Sequence, residues 1–263
     1  MIIVTIDGPA GAGKSTVARG LAARLGYLFL DTGAMYRAAT YAVMQSGDLQ
    51  NQESRITVTN DIQIDVSDSV ILINGEDVSR MIRTAEVTNN IHFLADDPLV
   101  RSVLVERQRA IAEGQNVVTE GRDQGTVAFP DAEFKIFLTA SPAERARRRQ
   151  TERSALGEDV TVDEMLAAQN IRDKQDEMRP VGALQKAADA VEVVTDGMTI
   201  ENTSTGATQI RFEADSSALR GLIGVDDSNG NAFLASTNGK AYVMCLRSEG
   251  EMHFGTNGNN VAL

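Results

Sequence analysis

The chain has 263 residues, enough to bury a large core in one domain or in a domain with a smaller companion. Its formal net charge of −12 at pH 7 argues against a surface that binds nucleic acid, because such surfaces are usually basic. The one cysteine, Cys245, excludes an intrachain disulfide and favours a reducing, cytoplasmic setting. The amino-terminal apolar run is short and no long apolar stretch follows, so we expect neither a signal peptide nor a membrane span.

Strand and helix patterns alternate through the first 200 residues. The predicted strands occupy residues 2–6, 27–31, 62–66, 70–75, 116–123, 134–140 and 190–195. The predicted helices occupy residues 14–25, 33–47 and 96–114, the last with Asp97 before Pro98 at its first position. From about Thr57 to Ile73 we expect short strands only.

Two further helices are expected at Ser141 and at Thr161. In each case a glutamate follows three residues later, Glu144 and Glu164 respectively, which is the spacing of a capping box. Strands that alternate with helices imply an α/β fold, with a parallel sheet covered by helices on both faces.

The pattern changes near residues 198–205, where we place a domain boundary. Residues 201–263 have no helical period, and their apolar runs alternate with turns at Asn229-Gly230, Asn238-Gly239 and Glu249-Gly250. The apolar runs are 210–212, 222–225, 242–246 and 252–254. This part is therefore predicted to form β-hairpins or a small antiparallel meander.

A glycine-rich stretch after the first strand matches the pattern G-x-x-x-x-G-K-[ST]. It consists of Gly8, Pro9, Ala10, Gly11, Ala12, Gly13, Lys14, Ser15 and Thr16. A strand before and a helix after are the context in which such a loop binds phosphates through its backbone N–H groups and the helix dipole. Lys14 would then serve the β- and γ-phosphates and Ser15 a Mg²⁺ ion, whereas a glycine turn with an incidental lysine is the alternative.

Arginines at the carboxyl edge of the predicted sheet point to a second phosphate. Arg37 follows one strand and Arg122, beside Asp123, follows another. Arg172, Asp176 and Arg179 lie at spacings of four and three, on one face of a helix. Guanidinium forks match phosphate oxygens, although ordinary surface ion pairs would give the same helix spacing.

These residues together resemble the bacterial cytidylate (CMP) kinases over about residues 1–200. The likeness is carried by "IDGPAGAGKST", "LDTGAMYRAAT", "INGEDVSRMIRTAEV", "DPLVRSVLVERQR", "EGRDQGTVAFPDAEFKIFLTAS" and "RDKQDEMR". The resemblance implies a P-loop nucleoside monophosphate kinase fold, with a CMP-binding insertion at about 55–95 and a lid at about 145–160. It also implies ATP and Mg²⁺ on the glycine loop and CMP or dCMP as the acceptor.

The resemblance also assigns roles to individual residues. The residues implied to face CMP are Thr32, Tyr36, Arg37, Arg101, Arg122, Asp123, Arg172, Asp176 and Arg179. Among them, Arg37, Arg122 and Arg172 would hold the CMP phosphate, while Arg101, Asp123 and Arg179 would lie near the cytosine and Asp176 near the ribose. The residues expected to serve catalysis are Lys14, Arg122, Asp123, Arg149 and Arg153, with the last two on the lid.

The chain departs from the family at two places. His92 stands where a serine near the base is common, and the phrase at Met198–Glu201 does not continue into the usual terminal helix. The tail after it resembles the β-rich repeats of phage tail fibres. We expect either an appendage without a selected function or an oligomerisation segment on a kinase that is otherwise a monomer.

The alternatives to a CMP kinase remain a P-loop kinase for another small acceptor, such as a different nucleotide or shikimate, and an inactive nucleotide-binding relic whose β tail assembles with partner chains. No nucleic-acid or membrane partner is expected.

Overall fold

The structure is a computed structural model that describes residues 1–67, 70–155 and 157–196, and beyond them the backbone of six strands between residues 210 and 262. The chain divides into two compact units, Met1–Val193 and Val194–Leu263. In the described part of the chain, no helix combines the length and the apolar character needed to cross a membrane.

The first unit contains eight strands and eight α-helices among its described residues. The strands are β1 (Ile3–Asp7), β2 (Leu28–Asp31), β3 (Ile64–Val66), β4 (Ile71–Ile73), β5 (Glu76–Asp77), β6 (Val117–Gly121), β7 (Phe134–Thr139) and β8 (Val191–Val194). The helices are α1 (Lys14–Leu25), α2 (Thr32–Ser46), α3 (Gln52–Asp61), α4 (Ala85–Asn90), α5 (His92–Ala95), α6 (Pro98–Ala112), α7 (Pro142–Ala155) and α8 (Val162–Met178). A 3-10 turn covers Met81–Arg83 and a π-helical turn covers Gln124–Ala128.

The central sheet has the strand order β2-β6-β1-β7-β8. β1 pairs in parallel with β6 and β7, and β6 pairs in parallel with β2. All five residues of β1 and all five of β6 are buried, as expected where helices cover both faces. The predicted α/β fold with a parallel sheet is thus confirmed, and the carboxyl ends of β1, β2 and β6 meet at one edge.

Local capping interactions explain where the main helices begin. Asp31 accepts a hydrogen bond from the Ala34 N–H at the start of α2, and Asp97 accepts one from Leu99 ahead of α6, with Pro98 in its first turn. The capping box predicted at Thr161 is present at the start of α8. Gly26 ends α1 in the left-handed conformation, as its position predicted.

The expectation of strands from Thr57 onward is wrong at its beginning, since α3 runs to Asp61. The β-branched residues of this stretch favour a strand, but the Asn51 side chain accepts a hydrogen bond from the Ser54 N–H and caps a helix. The Arg55 guanidinium then pairs with the Asp97 carboxylate at 2.9 Å. Tertiary contacts of this kind override a weak local preference.

A small antiparallel sheet of β3, β4 and β5 follows α3, at the position predicted for the insertion. Ile64, Ile71 and Ile82 from this region are buried in the same core cluster as α2 and α6. These residues therefore pack against α2 and α6.

The second unit contains six antiparallel strands in sequential order. They are β9 (Ile210–Phe212), β10 (Gly221–Asp226), β11 (Asn231–Ser236), β12 (Tyr242–Leu246), β13 (Met252–Thr256) and β14 (Asn259–Ala262). The predicted antiparallel meander is present, with β11 and β14 added to the four runs identified in the sequence. The three predicted turn dipeptides and the phrase at Met198–Glu201 lie outside the described residues.

Candidate active site

The glycine loop lies between β1 and α1, at the carboxyl edge of the sheet. Gly8, Gly11 and Gly13 all have positive φ, at 147°, 82° and 91°. A Cβ on Gly8 would overlap the Leu138 carbonyl oxygen, so both the conformation and the space require glycine. The loop thereby carries its backbone N–H groups into the first turn of α1, which begins at Lys14.

Lys14 is buried and its ammonium group donates a hydrogen bond to the Pro9 carbonyl oxygen at 2.9 Å. Burial lowers the pKa of Lys14 to about 7, and the positive charge of Arg122 acts in the same direction. The ammonium group is therefore held inside the loop, in a buried position where a bound phosphate anion would stabilise its positive charge.

Ser15 is exposed at the mouth of the loop, and its hydroxyl donates a hydrogen bond to the Glu120 carboxylate at the end of β6. A hydroxyl and a carboxylate are the oxygen donors that Mg²⁺ prefers, so these two residues fit the ion. No cluster of three or more acidic, histidine or cysteine ligands occurs in the described residues. In phosphate-binding sites Mg²⁺ usually keeps several waters and is shared with the substrate phosphates, so one hydroxyl and one carboxylate are enough protein ligands.

Asp7 connects the glycine loop with the segment that carries Arg122 and Asp123. Its buried carboxylate accepts hydrogen bonds from the backbone N–H groups of Gln124 and Gly125, at 2.9 and 2.7 Å. Burial raises the pKa of Asp7 to about 6. These bonds hold the π-helical turn directly behind the Arg122-Asp123 pair of residues.

Four arginines from four elements converge beside the loop: Arg37 from α2, Arg122 after β6, Arg149 from α7 and Arg172 from α8. Burial, together with the charges of Arg122, Arg149 and Arg37, lowers the pKa of Arg172 to about 10. Arg149 is affected in the same way, by burial and by Arg122. The cluster is a concentration of positive charge suited to a phosphate group.

Asp176 lies at the centre of a second group of charges. Its two carboxylate oxygens accept hydrogen bonds from Arg122 Nε at 2.8 Å and from Arg179 at 2.6 Å. Arg179 Nε also donates to Asp96 at 2.7 Å. The pKa of Asp176 is lowered by Arg122 and Arg179 despite its burial, so the carboxylate is ionised and links the two arginines.

A buried ion pair joins Arg101 of α6 to Asp123, next to the ring of Tyr36. The Arg101 guanidinium donates to the Asp123 carboxylate and to the Ala95 carbonyl oxygen, and lies 5.3 Å from the centre of the Tyr36 ring. A Cβ on Gly182 would overlap this ion pair, so the chain after α8 lies directly against it.

Several buried polar atoms around these groups have no hydrogen-bond partner within the described part of the chain. They are Tyr36 Oη, Arg37 Nε, Arg101 Nε and Arg149 Nε. Buried polar groups are normally satisfied, so these four atoms are available to form hydrogen bonds with a ligand.

The structure brings most of the predicted acceptor residues together, with two differences. The Thr32 hydroxyl donates to the Glu120 carbonyl oxygen at 2.6 Å and is buried, so it supports the loop after β6. Arg153 pairs with Glu158 at 2.7 Å, while Arg149 packs against Gly11. In this structure Arg149 of α7, and not Arg153, lies beside the glycine loop.

Four residues with evident roles at the site were missed in the sequence: Asp7, Glu120, Arg145 and Asp173. Asp7 is the last residue of β1 and Glu120 the last but one of β6, positions at the carboxyl edge of the sheet that could have indicated them. Arg145 is buried and donates to Asp173 at 2.7 Å and to the Ala10 carbonyl oxygen in the glycine loop at 3.1 Å. In the sequence Arg145 is one arginine of a dense run, with no signal that sets it apart.

The phosphate-binding loop, the parallel sheet and the arginine cluster define a P-loop kinase with the nucleoside monophosphate kinase fold. The Cytidylate kinase family model matches residues 4–210. The chain belongs to the cytidylate kinase family, and the resemblance seen in its motifs is confirmed.

Curated relatives agree with this assignment. A cytidylate kinase of Rhodopirellula baltica is 54% identical over 198 residues, covering 75% of this chain and 86% of the relative. One of Geobacillus thermodenitrificans is 45% identical, covering 80% and 96%. A bifunctional pantoate ligase/cytidylate kinase of Synechococcus elongatus is 50% identical, covering 76% of this chain and 40% of the relative. The family match ends at residue 210, so the likeness of the tail to tail-fibre repeats stays a prediction.

Proposed function

We propose that the first unit transfers the γ-phosphoryl group of ATP to CMP or dCMP, which gives ADP and CDP or dCDP. The observation that carries the proposal is that four half-buried arginines, Arg37, Arg122, Arg149 and Arg172, converge beside the glycine loop. Half-buried cations of like charge repel one another unless an anion joins them. An acceptor phosphate next to the ATP γ-phosphate supplies that anion.

Transfer of a phosphoryl group depends on positioning and charge stabilisation more than on covalent chemistry. In this proposal Lys14 and the loop N–H groups bind the ATP phosphates, and Arg37 and Arg172 bind the acceptor phosphate. Arg122 and Arg149 lie between these sets and stabilise the charge that spreads over the transferred group. Arg153 would join them only by leaving Glu158.

Mg²⁺ would be held by Ser15, with Glu120 beside it, and would supply charge neutralisation at the β- and γ-phosphates. Other side chains of the protein would orient the arginines that bind the phosphates. Asp7 fixes the backbone behind Arg122, and Asp31 lies 3.4 Å from the Arg37 guanidinium.

The base and sugar of the acceptor would occupy the other half of the cluster. Arg101, Asp123 and Arg179 offer donors and an acceptor for the Watson–Crick edge of cytosine, since carboxylates accept well from its N4 amino group. Asp176 would reach the ribose after giving up one of its arginine partners. Asp123 is bound to Arg101, so we assign it to base recognition ahead of general-base chemistry, which this reaction does not require.

An ADP-release assay on the purified full chain with Mg²⁺ and ATP tests the proposal. CMP, dCMP, UMP, AMP and shikimate are compared as acceptors, and we expect turnover with CMP and dCMP. Turnover with AMP or shikimate alone would show that the acceptor is not CMP or dCMP. Absence of turnover with every acceptor, together with a trimer in solution, would favour the inactive relic whose tail assembles.

We further propose a cytoplasmic enzyme whose kinase unit acts as a monomer.

A further inference from the structure

Arg145 connects three separate parts of the first unit from a buried position in α7. Its guanidinium donates to the Ala140 carbonyl oxygen after β7 at 2.9 Å and to the Ala10 carbonyl oxygen of the glycine loop at 3.1 Å. It also donates to the Asp173 carboxylate of α8 at 2.7 Å. Because both members of the ion pair are largely buried, their relative position is well defined.

Asp173 belongs to the helix that carries the acceptor residues. It directly follows Arg172, and Asp176 lies one turn further along α8. A second hydrogen bond, from Gln169 Nε2 to the Pro142 carbonyl oxygen at 3.1 Å, joins the preceding turn of α8 to the start of α7. The glycine loop also fits closely here, since a Cβ on Gly11 would lie 3.1 Å from Arg145 Cβ.

We propose that Arg145 and Asp173 are positioning residues that hold α8 against the glycine loop, and so set the distance between the bound ATP phosphates and the acceptor phosphate on Arg172. This inference rests on the proposed function. Neither residue is assigned a contact with either substrate. Their effect is exerted through Ala10 on the donor side and through Arg172 and Asp176 on the acceptor side.

Substitutions at the two residues are expected to have different kinetic effects. In Asp173→Asn, Arg145 keeps its bonds to Ala10 and Ala140, so the donor loop is preserved while α8 loses its charged anchor. We expect the KM for CMP to rise between about 10- and 100-fold while the KM for ATP stays within about twofold. In Arg145→Lys, the shorter cation cannot reach all three acceptors, and we expect both KM values to rise.

Steady-state kinetics on the full chain, with each substrate varied at saturating concentration of the other, separate these outcomes. Asp189→Asn is the matched control, because it removes the carboxylate of an exposed side chain that pairs with Lys135. Its KM values should be those of the wild type. A loss of folded protein alone would lower kcat and leave the KM for CMP unchanged, so the KM readout distinguishes positioning from stability.

Gln169→Met provides a second test if Asp173→Asn does not fold, because it removes the other bond to α7 without leaving a buried charge. We expect a smaller rise in the KM for CMP, of about threefold to tenfold. An active wild type with unchanged KM values for CMP in both variants would overturn the positioning role. A wild type that does not phosphorylate CMP would overturn the proposed function itself, which is a separate result.

Discussion

Lys14 donates a hydrogen bond to the Pro9 carbonyl oxygen, so that the charged end of the lysine occupies the interior of its own loop. The bond keeps a buried ammonium group solvated by a backbone dipole in the absence of phosphate. Burial and Arg122 nevertheless lower the pKa of Lys14 to about 7. The loop is therefore prepared for an anion, and binding that anion changes the protonation of Lys14.

ATP binding should take up a proton at pH 8. Free Lys14 is then mostly neutral, because its pKa of about 7 lies below the solution pH, and the phosphate charges raise that pKa toward its ordinary value. Calorimetric titration of ATP in buffers of different ionisation enthalpy measures the uptake, which should approach one proton. At pH 6 the uptake should vanish, since Lys14 is already protonated.

Lys14→Met supplies the control for that experiment. The variant should bind ATP without proton uptake at either pH, and its kcat should fall by about 10²-fold or more, because a preorganised cation is lost. Uptake that persists in the variant would assign the proton to another group.

Arg122→Ala should lower kcat/KM for CMP by about 10²- to 10³-fold while leaving ATP binding largely intact. Arg122 belongs to the loop after β6 and contacts Asp176 of α8, so its loss disturbs the acceptor side. Steady-state kinetics and a separate ATP-binding titration measure the two effects. Arg107→Ala, which removes an arginine bonded to the Asn60 carbonyl oxygen, is the control and should behave as the wild type. Unchanged CMP kinetics in Arg122→Ala would remove this residue from the acceptor site.

The sequence was sufficient for the sheet, the glycine loop and most acceptor residues because these depend on local patterns. Strand-loop-helix order places Lys14 and Arg122 at one sheet edge without any knowledge of packing. The position of Asp7 at the end of β1 could have indicated it, but its role, like that of Arg145, could not be predicted in this way. Their roles depend on backbone groups of Gln124 and Ala10, and main-chain contacts between distant segments leave no residue pattern.

The α3 helix illustrates a second limit. Its β-branched residues predicted a strand. The helix is instead stabilised by the Asn51 cap and by the Arg55–Asp97 ion pair, whose members are 42 residues apart in sequence. Such contacts become visible only when the fold is known.

Gly8→Ala should destabilise the first unit by about 3 kcal/mol or more, because the new Cβ would overlap the backbone carbonyl of Leu138 and neither strand end can move freely. Gly26→Ala is the matched control: its φ of 64° is also unfavourable, but nothing lies within 4 Å of the new Cβ. It should cost only about 1 to 2 kcal/mol. Chemical denaturation measures both values, and equal losses would show that the contact with Leu138 is relieved by movement of the loop.

Asp7→Asn should change how stability depends on pH. The folded-state pKa of Asp7, about 6, lies above its ordinary value of 3.8, so the native state binds the extra proton between these values and wild-type stability falls as pH rises through them. Relative to Asp7→Asn, which has no such titration, the wild type should therefore be about 2.5 kcal/mol more stable at pH 4 than at pH 7.5. Urea denaturation of both proteins at the two pH values measures the difference. A difference that does not vary with pH would mean that Asp7 titrates normally.

Asp123→Asn should reduce the preference for CMP over UMP by about tenfold or more. A carboxylate accepts from the amino group of cytosine and repels the O4 oxygen of uracil, whereas an amide can donate to that oxygen. The substitution also removes the counter-charge of the buried Arg101, which should cost about 3 to 5 kcal/mol of stability. Competition between CMP and UMP at equal concentration measures the preference independently of the folded fraction.

Asp97→Asn distinguishes the loss of base preference expected for Asp123→Asn from its loss of stability. It also removes the carboxylate from a buried arginine pair, with Arg55, and it weakens the cap of α6, so its stability should fall by a comparable amount. The Asp97 side chain bonds Gln52 and Arg55 of α3 and the Leu99 N–H, and it makes no bond to the side chains of the Arg101–Asp123 pair. The ratio of CMP to UMP turnover should therefore stay at the wild-type value. If both variants lost the preference equally, discrimination would depend on the general rigidity of α6, and Asp123 would have no direct part in reading the base.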